Sequence, residues 1–271
     1  MKPPRAVILA RGLGSRMRRT DAAAAAGDDQ ARVADTGVKA MIPIGRPFLD
    51  YVLSALADAG VREVCLVIGP EHDVVRDYYT RTMPPRRVRV EFAVQTQPLG
   101  TADAVVAAAP VVGGDDFLVL NSDNYYPVDA FRALVAMTGA GLVAFDWRAM
   151  IRESNVPPDR IRQYALVRIG EGDRLIDIVE KPDEDTVASC GDDVFISMNC
   201  WRFTASVLEA CRRVTPSPRG ELELPDAVRL AQREDGTTFS VARLMAGVLD
   251  LSSRGDISQV AAWLAGVQVD L

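Results

Sequence analysis

Four short groups of residues have the types and spacing to act on phosphate. The first is Leu9-Ala10-Arg11-Gly12-Leu13-Gly14-Ser15-Arg16-Met17, at the end of the apolar run Arg5 to Ala10. Glycines at the carboxyl end of a strand let backbone N–H groups approach phosphate oxygens with no Cβ in the way. Arginine adds a charge-assisted grip that is often bidentate. The spacing lacks the third glycine of the dinucleotide fingerprint and the Gly-Lys-Ser/Thr of a Walker loop. The second group centres on Lys39, just ahead of the expected apolar strand Ala40 to Ile44. The third, Asn121-Ser122-Asp123-Asn124, follows the apolar run Phe117 to Leu120 and sets a carboxylate at that strand's carboxyl edge. The fourth, Glu180-Lys181-Pro182, ends another strand-like run.

Taken singly, each group has a plainer reading. Gly-x-Gly-x-Arg also makes a tight strand-to-loop turn. Asn-Ser-Asp-Asn is rich in turn formers, and a lysine at a strand end is commonly a solvated charge. The order of the groups along the chain is more specific than any one of them. Gly12-Leu13-Gly14-Ser15-Arg16, Lys39, Gln95 to Thr101, Asp123, Glu180-Lys181-Pro182, Asn199, Arg219-Gly220-Glu221-Leu222-Glu223 and Asp250 follow one another. In that arrangement the chain resembles the sugar-phosphate nucleotidylyltransferases, which include the glucose-1-phosphate thymidylyl- and uridylyltransferases, over nearly its whole length.

The resemblance implies a glycosyltransferase-A-like α/β fold: a Rossmann-like mixed, mostly parallel sheet with helices on both faces. It implies that a nucleoside triphosphate, with UTP or dTTP favoured, is joined to a sugar 1-phosphate with release of pyrophosphate. Leu9, Ala10, Gly12, Gly14, Ser15, Gln95, Gly100 and Thr101 would bind nucleotide, with Gln95 reading the base and Gly100 making room for base or ribose. Arg16, Lys39 and Lys181 would be the catalytic cations. Tyr164, Glu180, Lys181, Asn199 and Arg219 would hold the sugar phosphate, and Asp123 and Asp250 would hold Mg²⁺. The reaction brings two anions together, and a phosphate monoester is already nucleophilic near neutral pH. Positioning and charge neutralisation are therefore the chief demands on the protein.

Some positions depart from the family pattern. The usual Leu-Ala-Ala-Gly reads Leu9-Ala10-Arg11-Gly12, and the usual Tyr-Gly reads Tyr164-Ala165, whose Cβ bears on which sugar fits. The Gly/Thr-Pro turn expected after Asp250 is absent, and Asp256 reads as the N-cap of a last helix. The stretch Thr20 to Val38 is longer than the family norm by roughly a dozen residues. It holds an alanine run, several aspartates and no apolar period, and reads as a mobile lid ordered only with nucleotide. The single histidine, His72, falls in a strand-to-helix turn and is expected at the surface.

A framework must bring these scattered groups to one edge. Strands are expected at Glu63 to Ile68, Val88 to Val94 and Phe117 to Leu120, besides Arg5 to Ala10. Helices are expected at Pro47 to Ala59, Asp73 to Thr82 and Thr101 to Ala109. Such alternation builds a parallel sheet through right-handed crossovers. In the second half Tyr164 to Ile169, Leu175 to Glu180 and Val194 to Phe203 are strand-like with few helices between, which predicts antiparallel additions. Thr204 to Arg213 and Leu222 to Glu234 read as helices, Ser240 to Leu251 as one or two strands, and Ile257 to Leu264 as a closing helix. One domain over 1–271 is expected, its nucleotide part about 1–140 and its sugar-phosphate part about 141–271.

Composition sets the outer bounds. The chain has 271 residues, 48% apolar and 25% charged, with a net charge of −6. That balance argues against a general nucleic-acid or membrane-surface binder. The four cysteines lack CxxC spacing and read as reduced residues of a cytoplasmic protein. No signal peptide, spanning segment or hexapeptide-repeat acetyltransferase module is expected, and a homo-oligomer is in keeping with the family. The competing functions are a cytidylyl- or purine nucleotidyltransferase acting on a cyclitol phosphate or other phosphate or phosphonate, and a non-catalytic binding subunit. A glycosyltransferase of the same fold would show Asp-x-Asp where this chain has Asp123-Asn124.

Overall fold

The structure, a computed structural model, describes residues 4–19 and 27–271. The strands are β1 (Arg5–Leu9), β2 (Glu63–Ile68), β3 (Arg89–Val94), β4 (Phe117–Asn121), β5 (Asn124–Tyr125), β6 (Gly141–Asp146), β7 (Leu166–Gly170), β8 (Arg174–Val179), β9 (Phe195–Phe203), β10 (Ser240–Leu244) and β11 (Leu249–Asp250). Nine of them form one sheet in the order β3-β2-β1-β4-β9-β6-β10-β8-β7, and β5 pairs separately with β11.

Burial on both faces explains why the first strands carry continuous apolar runs. In β1, Ala6 and Ile8 enter one core while Val7 enters the other. Leu118 and Leu120 of β4 point with Ala6, and Phe117 and Val119 with Val7. Helices Phe48–Asp58, Val128–Ala136 and Asp256–Leu264 cover the first face. Helices Thr101–Ala107, Ala205–Arg213 and Leu224–Glu234 cover the second. Each aliphatic side chain so buried contributes roughly 1.5–3 kcal/mol.

The expected fold class holds as a mixed α/β sheet with helices on both faces, but the sheet is not mostly parallel. Parallel pairing is confined to β3-β2-β1-β4 and to β6 with β10. β9 runs antiparallel between β4 and β6. The β7–β8 pair is a hairpin whose turn contains Gly172 and Asp173 at φ 65° and 54°. Two such positive φ values match the twist of a tight hairpin. β7 also pairs with β9, so β9, β6, β10, β8 and β7 close on themselves as a small barrel-like ring.

The order β3-β2-β1-β4 has a consequence for function. The chain leaves β1 to one side for β2 and β3, then returns to the other side for β4. Crevices form where the direction of winding reverses, at the carboxyl ends of the strands. The segments after β1, β3 and β4 therefore meet at one edge.

In three places the structure departs from what the sequence announces. Ala40 to Ile44 is not a strand: Lys39–Met41 is a 3₁₀ turn. The N–H groups of Met41 and Ile42 bond back to Val38 and Lys39 at 3.0 and 3.1 Å, and Pro43 has none to offer. The stretch Val128 to Glu153, for which the sequence announces no element, supplies a helix, β6 and the helix Trp147–Glu153. All six residues of β6 are buried, so no alternation betrays it.

The third correction concerns the expected lid. Asp28–Thr36 is a helix, started by two aspartates in its first turn and ended by Gly37 at φ 77°. Arg18 holds its C-terminal end, donating to the Thr36 carbonyl at 3.1 and 2.7 Å. Gln30 Nε2 donates to the Pro43 carbonyl at 2.8 Å, and Arg254 joins Asp35 to the Met17 carbonyl. Only Ala34 of this helix is buried, which is why no apolar period was visible. Thr20 to Ala26 of the expected lid lie outside the described residues.

Gly37 packs against the glycine loop so closely that a Cβ there would lie 2.8 Å from the Leu13 carbonyl oxygen. Gly37→Ala should therefore lower unfolding free energy by about 2–3 kcal/mol, through positive φ and overpacking together. Urea unfolding measures this, and an unchanged midpoint would mean that the helix is not docked on the loop.

Candidate active site

A cavity of about 370 Å³ opens at the carboxyl edge of β1, β3 and β4. From the end of β1 and the segment after it, the cavity is lined by Leu9, Ala10, Arg11, Gly12, Leu13, Gly14, Ser15 and Arg16. Lys39 enters from the 3₁₀ turn, Gln95, Gly100 and Thr101 from the segment after β3, and Asp123 from the segment after β4. All eight expected nucleotide residues line it, with two of the three expected catalytic cations. Lys181 does not: it is exposed at the end of β8 with φ 46°.

The glycines of this wall do different work. A Cβ on Gly12 would meet nothing within 4 Å, so that position opens on free space. Gly14, at φ 60°, faces Gly37 with no room for a side chain. Gly100, at φ 127°, is expected from the sequence to make room for ligand, but a Cβ there would strike the backbone of Leu222. Leu222 donates to the Leu99 carbonyl at 2.7 Å and accepts from Ala102 N–H at 2.9 Å. Thr101 Oγ1 accepts from Leu224 N–H at 3.0 Å, at the start of helix Leu224–Glu234. Gly100 and Thr101 thus brace this wall of the cavity against the segment that carries Arg219.

Charge is concentrated opposite that brace. Lys39 Nζ lies 2.8 Å from Asp123 Oδ2. Burial lowers the Lys39 pKa, but the Asp123 charge and hydrogen bond, with Asp250 behind, outweigh it and hold the ammonium above its ordinary range. Arg16 pushes the other way, so the two cations share one wall and repel. An anion between them relieves that repulsion.

Asp250 lies behind Asp123 rather than in the cavity wall. β11 pairs Asp250 with Asn124, and Leu251 N–H donates to the Asp123 carbonyl at 2.8 Å. The two aspartates are therefore neighbours on adjoining backbones. Burial, then the charge of Asp123, pushes the Asp250 carboxyl above the usual range. The Ser252 hydroxyl sits 2.8 and 2.9 Å from its two oxygens, and the Tyr164 hydroxyl donates to Oδ2 at 2.7 Å. Arg160 stands 3.4 Å from Oδ2. Asn155 fixes the backbone, donating to the Asp250 carbonyl at 2.9 Å and accepting from its N–H at 2.8 Å. Tyr164, expected at the sugar, has its hydroxyl committed to this carboxylate.

Of the remaining expected residues, Glu180 and Arg219 come together in a second group beside the cavity, while Asn199 stands apart from it in β9. Arg229 bonds Asp177 at 3.1 Å and Asp226 at 2.9 Å, tying β8 to helix Leu224–Glu234. That places Glu180, just past β8, near Glu223 and Arg219. Crowding by protein, then the Glu223 charge, raises the Glu180 carboxyl pKa against Arg219 and Arg229. Arg219 pairs with Glu223 through bonds of 3.2 and 2.5 Å. Glu221, between them in sequence, lines the cavity and links the two groups. Asn199 sits in the irregular stretch of β9, where Ala144 pairs with Ser197 but Leu142 with Trp201. Its φ of 55° is uncommon outside glycine, and its Oδ1 accepts from Trp201 Nε1 at 3.2 Å.

Sequence reasoning missed Arg160, Asn155 and Ser252 around Asp250. Only Ser252 gave a signal, two residues after Asp250. The histidine is also misplaced: His72 is 5% exposed, packed beneath the glycine loop. Its Nδ1 accepts from Gly69 N–H at 3.3 Å, and the ring bonds the Ala10 backbone. Burial lowers its pKa below the ordinary value, overriding Glu71. The unfolded chain then takes up the proton first, so His72 costs stability as pH falls from about 6.5 through its folded pKa. As the only histidine, it gives one imidazole C2–H signal by NMR. Its titration midpoint should lie below about 6.5; a midpoint above that would contradict the buried, backbone-bonded ring.

Comparison with known proteins follows the same architecture. The pattern of the family described as nucleotidyl transferase matches residues 33–261. Over 225 residues the chain is 30% identical to the bifunctional protein GlmU of Methanococcus vannielii, covering 83% of this chain and 46% of that one. It is 24% identical over 247 residues to the UTP–glucose-1-phosphate uridylyltransferase AglF of Haloferax volcanii, covering 91% and 90%. The chain spans about half the length of the first curated relatives it matches. A crystal structure of UDP-glucose pyrophosphorylase complexed with UDP-glucose shares the fold, with a TM-score of 0.73 at 15% identity over 98% of this chain and 100% of that one. A match running from the helix before Lys39 to the helix after Asp250 makes this chain a member of the nucleotidyl transferase family.

Proposed function

We propose that this chain transfers a nucleotidyl group from a nucleoside triphosphate, UTP or dTTP by preference, to a sugar 1-phosphate. The observation that carries the proposal is the meeting of Arg16, Lys39 and Asp123 around one cavity whose floor is glycine backbone. The relatives support it: AglF is named for UTP and glucose 1-phosphate, and the fold neighbour holds UDP-glucose. The nucleotide part is about 1–140 and the sugar-phosphate part about 141–271. The reaction belongs in the cytoplasm, where triphosphates are made and where four free thiols stay reduced.

A phosphate oxygen of the sugar phosphate attacks the α-phosphorus, the bond from that phosphorus to the bridging oxygen breaks, and pyrophosphate leaves. Backbone N–H groups at Gly12, Gly14 and Ser15 receive phosphate oxygens, beside Leu9 and Ala10. Arg16 and Lys39 neutralise the triphosphate and the charge that grows on the leaving pyrophosphate. Gln95 reads the base, with Gly100 and Thr101 holding its loop. Glu180 takes sugar hydroxyls, Asn199 the ring, and Lys181 and Arg219 the sugar phosphate, while Tyr164 steadies Asp250.

Asp123 and Asp250 fit a magnesium ion. Two neighbouring carboxylates, one pushed upward by burial and then by the other's charge, favour a shared cation. Among the described residues no group of three or more His, Cys, Asp or Glu side chains is placed to hold a metal. Magnesium is commonly held by one or two carboxylates together with substrate phosphates. When bound there it supplies positive charge to the phosphate oxygens.

Among the described residues no helix is long and apolar enough to cross a membrane. The departure at Ala165 gives no support to a cyclitol in place of a sugar, because its methyl group packs in the second core.

A pyrophosphate-release assay crossing the common triphosphates with hexose 1-phosphates and Mg²⁺ tests the proposal. Asp123→Ala and Lys39→Ala should each lower kcat by about 100-fold or more. Full activity in Asp123→Ala, or no release by the wild-type protein with any pair, would defeat it.

A further inference from the structure

Arg11 is the residue of the glycine loop that the family pattern does not explain. Its side chain is 7% exposed, yet Nε and Nη1 are buried without a hydrogen-bond partner. Nη2 has the Thr96 carbonyl at 3.3 Å and the half-exposed Glu71 carboxylate at 3.5 Å. Guanidinium is a donor only and keeps its proton at any physiological pH. Donors buried without acceptors are costly, and a guanidinium lining a cavity finds its acceptors in a ligand.

Which part of the ligand follows from direction. Arg11 leaves β1, and its partners Glu71 and Thr96 follow β2 and β3 respectively. The head group therefore reaches across β2 toward β3, away from β4, where Lys39 meets Asp123. Thr96, which it touches, is the residue after Gln95. Gln95 itself is 4% exposed, and its orientation is fixed. Nε2 donates to the Gly100 carbonyl at 3.0 Å and to Asp103 Oδ2 at 2.7 Å, both pure acceptors. Only Oε1 is left for a ligand. A donor-only group thus stands beside an acceptor-only group on the side of the cavity away from the phosphate cations.

We infer that Arg11 and Gln95 read the base as a pair, with Asp103 the positioning residue that sets the polarity of Gln95. This rests on the nucleotidyl-transfer reading and deepens it. Arg11 donates to a ring carbonyl, and Gln95 Oε1 accepts from the neighbouring ring N–H. That edge is carbonyl beside imide, found in uracil, thymine and guanine. Cytosine and adenine present an amino group and a bare ring nitrogen in the reverse order.

Calorimetric titration without the second substrate separates the possibilities, using UTP, CTP and inorganic tripolyphosphate. The wild-type protein should bind UTP at least about tenfold more tightly than CTP. Arg11→Met, which keeps the apolar stem, should lose about tenfold or more for UTP and nothing for tripolyphosphate. Arg11→Lys, which keeps charge without the fork, should lose less for UTP and again nothing for tripolyphosphate, and it serves should the methionine variant not fold. Asp103→Asn should shrink the UTP-to-CTP ratio, which a purely structural role would leave intact. Equal losses for UTP and tripolyphosphate would make Arg11 a phosphate ligand and overturn the inference, as would unchanged UTP binding or a wild-type preference for CTP. Failure of the wild-type protein to bind any triphosphate would instead strike the proposed function itself.

Discussion

Everything at the carboxyl edge of the sheet is organised around the ion pair of Lys39 and Asp123 with Asp250 behind it. Two carboxylates on adjoining backbones repel, and each is drawn out of full contact with water. One lysine, itself half-buried, compensates the outer aspartate. Removing either partner of a buried pair leaves a charge without compensation, which is why such groups hold together or fail together. The inner aspartate survives burial because hydroxyls from Ser252 and Tyr164 and the guanidinium of Arg160 surround it. The arrangement needs residues from the 3₁₀ turn, the segment after β4, the helix near residue 160 and β11. No local segment could build it, and the mixed sheet is what brings these parts together.

A second constraint couples the two halves of the chain. The segment Leu99 to Thr101 and the segment Leu222 to Leu224 are bonded backbone to backbone, with Gly100 pressed against Leu222. The loop carrying Gln95 and the segment carrying Arg219 and Glu221 consequently form one wall. In the proposed reaction these bind different substrates. A rigid brace between them fixes the distance across which the phosphate oxygen must approach the phosphorus, and positioning of that kind supplies a large share of the rate in phosphoryl chemistry.

Much of this was legible in the sequence because the parallel half obeys simple periodicities. Glu63 to Ile68 matches β2 end to end, and the runs assigned to β1, β3 and β4 differ from the strands by a residue. The cavity residues were legible because they sit directly after those strands, where open sheets expose their ligand edge. What failed did so for physical reasons. β6 is buried on both faces and shows no alternation. The helix Asp28–Thr36 is held by polar contacts from Arg18, Gln30 and Arg254, which leave no apolar stripe in its own sequence. Gly100 reads from the sequence as room for base or ribose, but the neighbour its missing side chain makes room for is the backbone of Leu222. His72 looked like a turn residue because nothing in a single sequence reports that a turn is roofed by another loop.

Arg11 and Lys39 show how one loop separates two tasks. Both are cations close to the glycine backbone, and by charge alone they would be interchangeable. Lys39 has a carboxylate at hydrogen-bond distance, so its charge is balanced and its position fixed before any ligand arrives. Arg11 has a carbonyl at 3.3 Å and a half-exposed glutamate at 3.5 Å, both on Nη2, so Nε and Nη1 stay without an acceptor. The difference arises from strand order: β4 on one side of β1 delivers Asp123, whereas β2 and β3 on the other deliver Glu71 and Thr96. A chain wound the other way round would have exchanged their environments. The division of the cavity into a charge-balanced end and an end with free donors is thus written into the topology of the sheet, and the side chains make use of it.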